Sequence, residues 1–186
     1  AALLDAYRTS ATVSYDPNVR PALIDDREQA IGRISRLVAK ADLVKASDED
    51  LHWIDPDRPA EEVARTWQAL GPAVVVVTRG ADGAFAVSDA GTVTIEAPPV
   101  EVVDTVGAGD AFMAGLVDAL WSRDLLGRTR RDALAGIGEA TAVALATDGW
   151  DVVLAARRPE KLEAVAGRIA AEAPDATSHV VQVDVT

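Results

Sequence analysis

The sequence predicts an α/β protein built on a parallel sheet with flanking helices. Three observations carry this. Strand-like and helix-like segments alternate along nearly the whole chain. Residues 73–78 form a continuous apolar run bounded by turn residues, the pattern of a strand buried on both faces. The intervening segments repeat apolar residues every three or four positions, the period of an amphipathic helix.

Taken in order, residues 1–7 read as the tail of a helix already under way, so the chain is expected to be a fragment of a longer one. Residues 11–15 are short and β-prone, and Asp16-Pro17-Asn18 after them is a turn signal. Ile31, Ile34, Leu37 and Val38 fall at helical spacing behind Asp25-Asp26, which offers a cap. Leu43-Val44 makes a brief strand, and Ser47-Asp48-Glu49-Asp50 opens a helix whose acidic first turn suits the helix dipole. Pro59-Ala60-Glu61-Glu62 begins another helix that runs to Leu70. After the strand at 73–78, residues 84–87 and 92–96 flank Ser88-Asp89-Ala90-Gly91, a hairpin turn. Pro98-Pro99 punctuates before a strand at 100–103, and a Gly-Ala-Gly turn then leads into an apolar helix at 111–120. Residues 123–131 are charged and turn-like; a second pattern follows, with a helix at 136–146, a strand at 151–155, a helix at 159–173 and a strand at 180–183. Leu162, Val165 and Ile169 share one face of the later helix.

Composition narrows the function classes. The 186 residues are 49% hydrophobic, enough for a sizeable core. A net charge of −12 argues against nonspecific nucleic-acid binding and against an anionic membrane surface. With no cysteine, neither a disulfide nor a thiolate metal site is possible. His52 and His179 lie far apart without ligand spacing. No apolar run reaches the roughly 18 residues of a membrane span, and no signal peptide is visible, so a cytoplasmic location is the default expectation. Trp53, Trp67, Trp121 and Trp150 read as packing residues.

The chemistry concentrates in Asp104-Thr105-Val106-Gly107-Ala108-Gly109-Asp110. A Gly-Ala-Gly turn delivers Asp110 to the start of the apolar helix. Unpaired amides at a helix start attract anions, and glycine lets a phosphate approach closely. A carboxylate beside them can take a proton from an attacking hydroxyl, so the stretch reads as a phosphoryl-transfer site.

With Ala111-Phe112-Met113-Ala114-Gly115 following, this stretch closely resembles the C-terminal signature of PfkB-type (ribokinase-like) sugar kinases. Three further segments fit that family. Val77-Thr78-Arg79-Gly80-Ala81-Asp82-Gly83 is a strand ending in a Thr-x-Gly turn. Asp16-Pro17-Asn18-Val19-Arg20-Pro21 is similar to the mid-chain motif of bacterial fructokinases. Lys45-Ala46-Ser47-Asp48-Glu49-Asp50 stands where relatives carry an Asn-x-x-Glu motif that organises Mg²⁺ and phosphate through water; here it departs to Ser47-x-x-Asp50.

The resemblance implies a ribokinase-like sheet and an ATP-dependent, fructokinase-like transfer of the γ-phosphate to a sugar hydroxyl. Asp110 would be the catalytic base, and the amides of Gly107, Ala108 and Gly109 would stabilise the transferring phosphoryl group. Thr78, Gly80, Gly83 and Thr105 would border ATP, Asn18 and Arg20 would reach phosphate or the metal's water shell, and Ser47 and Asp50 would serve Mg²⁺. Each minor motif also has a plainer reading. Asp-Pro-Asn and Thr-x-Gly are common turns, and Ser47 to Asp50 is in the first instance a capped, solvated helix start.

A second resemblance begins near residue 135. Gly136-Ile137-Gly138-Glu139-Ala140-Thr141-Ala142, Gly149-Trp150-Asp151-Val152-Val153-Leu154-Ala155-Ala156-Arg157-Arg158 and Val183-Asp184-Val185-Thr186 look like a short-chain dehydrogenase with a partial Rossmann-like βαβ segment. Arg157 and Arg158 would suit the 2′-phosphate of NADP. Asp132, however, stands where a dinucleotide turn needs glycine, so NADP is not expected to bind. The expected division is therefore a partial sugar kinase domain at 1–134 and a partial dehydrogenase-like segment at 135–186, a chimera. The alternatives are an NADP-binding fragment and a noncatalytic α/β module whose open sheet edges favour self-association. The expected ligands are a sugar and ATP, with neither nucleic acid nor membrane as partner.

Overall fold

Runs of β-branched and small apolar residues set the strands, and their register sets everything above them. The computed structural model describes residues 2–7, 10–97, 107–127, 139, 142–143, 146–147, 152–156 and 159–182. Seven strands form one sheet in chain order: β1 (Ser14–Tyr15), β2 (Leu43–Ser47), β3 (Val74–Thr78), β4 (Ala84–Ser88), β5 (Gly91–Ile95), β6 (Val152–Ala156) and β7 (Ser178–Gln182). The α/β class and the flanking helices are as expected. Parallel pairing holds between β1, β2 and β3 and again between β6 and β7. It does not extend throughout: β3 to β4, β4 to β5 and β5 to β6 are antiparallel. Short connections cause this in the first part. Gly80–Asp82 is one 3-10 turn, Asp89 and Ala90 are another turn, and neither has room for a crossover helix.

The helices are α1 (Ala2–Tyr7), α2 (Arg27–Val38), α3 (Asp48–Ile54), α4 (Ala60–Ala69), α5 (Ala108–Ser122) and α6 (Pro159–Glu172). Asp26 caps α2, its side chain accepting from the Gln29 amide, as the sequence suggests. Residues 139, 142–143 and 146–147 are helical, in line with the helix expected at 136–146. The expected strand at 100–103, together with Asp104, Thr105, Asp132, Arg157, Arg158 and residues 183–186, lies outside the described residues.

Alternation along the strands sorts side chains onto two faces. Val44, Ala46, Val75, Val77, Phe85 and Val87 join Ile34, Val38, Leu51, Val63 and Trp67 in one cluster under α2, α3 and α4. Leu43, Val74, Val76 and Ala86 meet Leu120 of α5 on the opposite face. Pairing of Ala86 with Val93, and of Val93 with Leu154, carries that second face across to β6. There Val93, Val152 and Leu154 pack with Leu162, Val165 and Ile169 of α6 and with Ala142, Val143 and Ala146. β6, α6 and β7 thus make a βαβ unit that joins the sheet along β5. Among the described residues no helix is long and apolar enough to cross a membrane.

Because β6 shares a core with β5, a cavity at Leu154 should weaken the whole sheet. Leu154→Ala is expected to cost about 2–5 kcal/mol. In urea, circular dichroism and tryptophan fluorescence should fall together at a lower midpoint; a separate early transition would show that β6 and β7 fold independently.

Candidate functional site

The parallel strands β1, β2 and β3 all end at one edge of the sheet, the edge at which open α/β sheets bind ligands. Three of the sequence motifs follow these strand ends: Asp16 to Arg20 after β1, Ser47 to Asp50 at the end of β2, and Thr78 to Gly83 after β3. Register sets Ser47 beside Thr78.

A carboxylate fastens the first two motifs together. Asp50 Oδ1 accepts from the Val19 amide at 2.9 Å and Oδ2 from the Ser47 amide at 3.0 Å, while Ser47 Oγ accepts from the Asp50 amide at 3.0 Å. This is a capping box whose carboxylate also anchors the neighbouring loop. Asp50 is buried, 8% exposed. Within the loop Asp16 Oδ1 accepts from the Asn18 amide at 3.0 Å, and Asn18 holds φ 42°, a left-handed conformation that asparagine tolerates. Arg20 donates to the Val19 carbonyl at 3.1 Å. Tyr15, half-buried at the end of β1, has its phenol pushed up from the ordinary value, chiefly by burial and further by the negative charges of Asp16 and Asp50.

The third motif is shaped by two glycines. Gly80 (φ 55°) and Gly83 (φ 82°) are both left-handed, and a Cβ on Gly83 would fall 1.9 Å from the Ile95 carbonyl oxygen, so only glycine fits there. Thr78 is half-buried, its hydroxyl 3.4 Å from the Ala46 carbonyl. Arg79 donates to the Asp82 carbonyl and lies over the Phe85 ring, while its Nε is buried without a hydrogen-bond partner.

The Gly-Ala-Gly turn reaches this same edge through a lysine. Gly107 takes φ 79° as the N-cap of α5, and the Ala111 amide closes the first turn onto its carbonyl at 2.9 Å. Asp110 is the third helical residue and is exposed. Lys45 lies two residues beyond Leu43 on β2 and shares its face, the face α5 covers. It is 5% exposed and donates to Asp16 Oδ2 at 3.1 Å. A Cβ placed on Gly109 would lie 2.8 Å from the Lys45 Nζ. The structure therefore brings Gly109, Lys45 and Asp16 together, ties Asn18 to Asp16 and ties Val19 and Ser47 to Asp50. No hydrogen bond or ion pair joins Asp110 to Asn18, Ser47 or Thr78 among the described residues, and Thr105 lies outside them. Lys45 and Asp16 were not among the expected site residues. The signal for them was a lysine inside an otherwise apolar strand and an aspartate opening the loop after the preceding strand.

These donors decide which groups fit. Among the described residues no cluster of three or more histidines or carboxylates could hold a metal ion. Each carboxylate oxygen of Asp16 and Asp50 accepts a hydrogen bond, from an amide or from Lys45. Among the described residues there is thus no protein-built cage for Mg²⁺. The first-turn amides of α5 and the buried Lys45 ammonium beside Gly109 instead offer donors of the kind that suit a polyanion such as a nucleotide phosphate chain.

Comparisons with known proteins agree with this chemistry. A family model described as pfkB family carbohydrate kinase matches residues 1–149, and one described as short chain dehydrogenase matches residues 132–186. The chain is 44% identical over 125 residues to a fructokinase of Rhizobium leguminosarum bv. trifolii, covering 67% of this chain and 38% of that protein. Aminoimidazole riboside kinase from Salmonella enterica, solved with aminoimidazole riboside and an ATP analogue, superposes with a TM-score of 0.55 at 32% identity over 59% of this chain and 37% of that one. A double-mutant fructokinase from Vibrio cholerae O395, solved with fructose, ADP and potassium ion, gives 0.54 at 33% identity over 59% and 35%. The chain thus spans less than half the length of these relatives.

Asp50→Ala would leave the buried Val19 amide and the part-buried Ser47 amide without the acceptors they now have, an expected cost of about 2–5 kcal/mol that a urea midpoint reads directly. Tyr15 is favoured in its neutral form by the fold. Its contribution to stability is complete below the ordinary phenol value of 10.0 and is lost as pH rises through the higher folded value. Tyr15→Phe should remove that part of the alkaline fall in stability.

Proposed function

The chain belongs to the pfkB family of carbohydrate kinases, and from that premise we propose that its site serves ATP-dependent, fructokinase-like phosphorylation of a sugar hydroxyl. The observation that carries this reading is the start of α5. Gly107 in the left-handed conformation, the first-turn amides after it and an exposed Asp110 stand beside Lys45 of β2. Identity to a fructokinase and likeness to kinases solved with ATP analogue or ADP support it.

In this reading Asp110 accepts the proton of the sugar hydroxyl as that oxygen forms its bond to the γ-phosphorus of ATP. The bond from that phosphorus to the oxygen bridging to the β-phosphate breaks, and ADP leaves with the electron pair. The amides of Gly107, Ala108 and Gly109 face the charge on the phosphoryl oxygens, which is where phosphoryl transfer needs stabilisation. Thr78, Gly80, Gly83 and Thr105 border the nucleotide. Asn18 and Arg20 stand toward its phosphates, on a loop that Asp50 holds in place. Mg²⁺ supplies neutralisation of phosphate charge when it arrives with ATP, and Ser47 and Asp50 would meet its water shell rather than the ion itself.

We also infer that residues 135–186 derive from a short-chain dehydrogenase joined to a kinase portion at 1–134. The match at 132–186 and the βαβ form of β6, α6 and β7 support that origin. In this reading the segment completes the sheet, and NADP is not its ligand.

An ADP-release assay with fructose and ATP tests the proposal. Asp110→Asn should lower kcat by about a hundred- to ten-thousandfold with the ATP affinity retained. Turnover unchanged by that substitution would remove Asp110 from the mechanism.

A further inference from the structure

The sheet ends at β7, and that end is open. Among the described residues β7 pairs with β6 alone, while the opposite end of the sheet, β1, is only two residues long. Natural sheets blunt a long edge with lysine, proline, a bulge or a cover, because its free amides and carbonyls invite another strand. β7 (Ser178-His179-Val180-Val181-Gln182) has no lysine, proline or glycine, and it pairs with β6 without a bulge. Val180 and Val181 are 40% and 45% exposed.

One hydrogen bond fixes which groups face outward. The Val152 amide donates to the Thr177 carbonyl at 2.9 Å, so Thr177 turns its backbone toward β6. The amide and carbonyl of a strand residue point to the same side, and the side alternates along the strand. Ser178, Val180 and Gln182 therefore turn their amides and carbonyls to the open edge. These residues are spaced symmetrically about Val180. An antiparallel copy of β7 centred there sets Val180 against Val180 and Ser178 against Gln182 on either side. Every outward amide then meets an outward carbonyl of the copy. Sliding the copy by one residue would set outward groups against inward ones.

Strand pairing alone buries too little surface for a lasting complex, and α6 supplies more. Val180 is the register partner of Leu154, which packs under α6, so Val180 lies on the α6 face of the sheet. Arg168 of α6 donates to Glu139 at 2.6 Å, which turns that flank of the helix toward the helical residues at 139, 142–143 and 146–147. Ala166 and Ala170, one turn apart, lie on the other flank, toward the open edge. Ala170 and nearby Gly167 are exposed, and a Cβ on Gly167 would meet nothing within 4 Å. Residues this small let a second α6 approach closely. The net charge of −12 repels a like-charged copy, whereas Ser178–Gln182 has no Asp, Glu, Lys or Arg. We propose that β7 and α6 form a two-fold interface with a second copy of this chain, β7 pairing antiparallel with its counterpart about Val180. Such a contact closes at two copies, because both use the same patch.

Size-exclusion chromatography with light scattering on the full chain tests it. The expected mass is twice 19.5 kDa, falling toward the monomer on dilution. The dimer should tighten as salt screens the repulsion between two acidic chains. Val180→Pro should weaken dimerisation at least about tenfold, the scale of the hydrogen bonds lost across the axis. Its circular dichroism should stay that of the wild type, because the amide it removes points away from β6. Ala170→Glu should weaken the dimer in the same direction, whereas Ala171→Glu, on the outer surface of α6, should dimerise as the wild type does. The chain has no cysteine, so single cysteines read the register cleanly. In oxidised glutathione Val180→Cys, at the axis, should link two copies faster than Val181→Cys. Should Val180→Pro fail to fold, Ala170→Glu and the cysteine pair decide. A monomer at every concentration, an open series of larger oligomers, wild-type dimerisation in Ala170→Glu, or equal linking at 180 and 181 would overturn the proposal.

Discussion

The buried ion pair between Lys45 and Asp16 is the contact on which the arrangement of the site depends. It links three segments distant in sequence: β2, the loop after β1 and the first turn of α5. Geometry forces the meeting. Leu43 and Lys45 point to the face that α5 covers, and the small Gly109 lets the helix start come down onto the lysine. A buried pair of this kind is weak evidence for stability, because desolvation offsets much of the attraction. Beside the start of α5 the Lys45 ammonium adds positive charge to the positive end of the helix dipole.

Asp50 has a structural task beside the one its motif implies. Both of its oxygens accept backbone amides, so it behaves as a rivet between α3 and the loop at 16–20. In the proposed reading Mg²⁺ arrives with ATP and keeps much of its hydration shell, so Asp50 would act on it through water. The loop that carries Asn18 and Arg20 is thereby fixed before any nucleotide arrives.

Much of this was legible in the sequence. The 3.6-residue spacing of Ile34 and Val38, the Asp26 cap and the apolar run at 74–78 placed elements close to where they are found, because local propensity and burial agree there. The site was legible where glycine is demanded by backbone geometry, at Gly83 and Gly107. Two features were not. The antiparallel middle of the sheet follows from turns too short for crossovers and from a pairing of β5 with β6 between residues far apart in the chain. The meeting of Lys45 with Gly109 follows from which helix covers its face, and strand alternation alone does not name that helix.

The central claim is that the amides at the start of α5 bind the phosphates of ATP. Amide chemical shifts of an isotope-labelled chain titrated with ATP test it most directly. The account predicts that Gly107, Ala108 and Gly109 shift early and saturably, with Asp110 following, while β7 and α6 stay still. ATP that moves only residues elsewhere, or moves no amide of that turn, would contradict it.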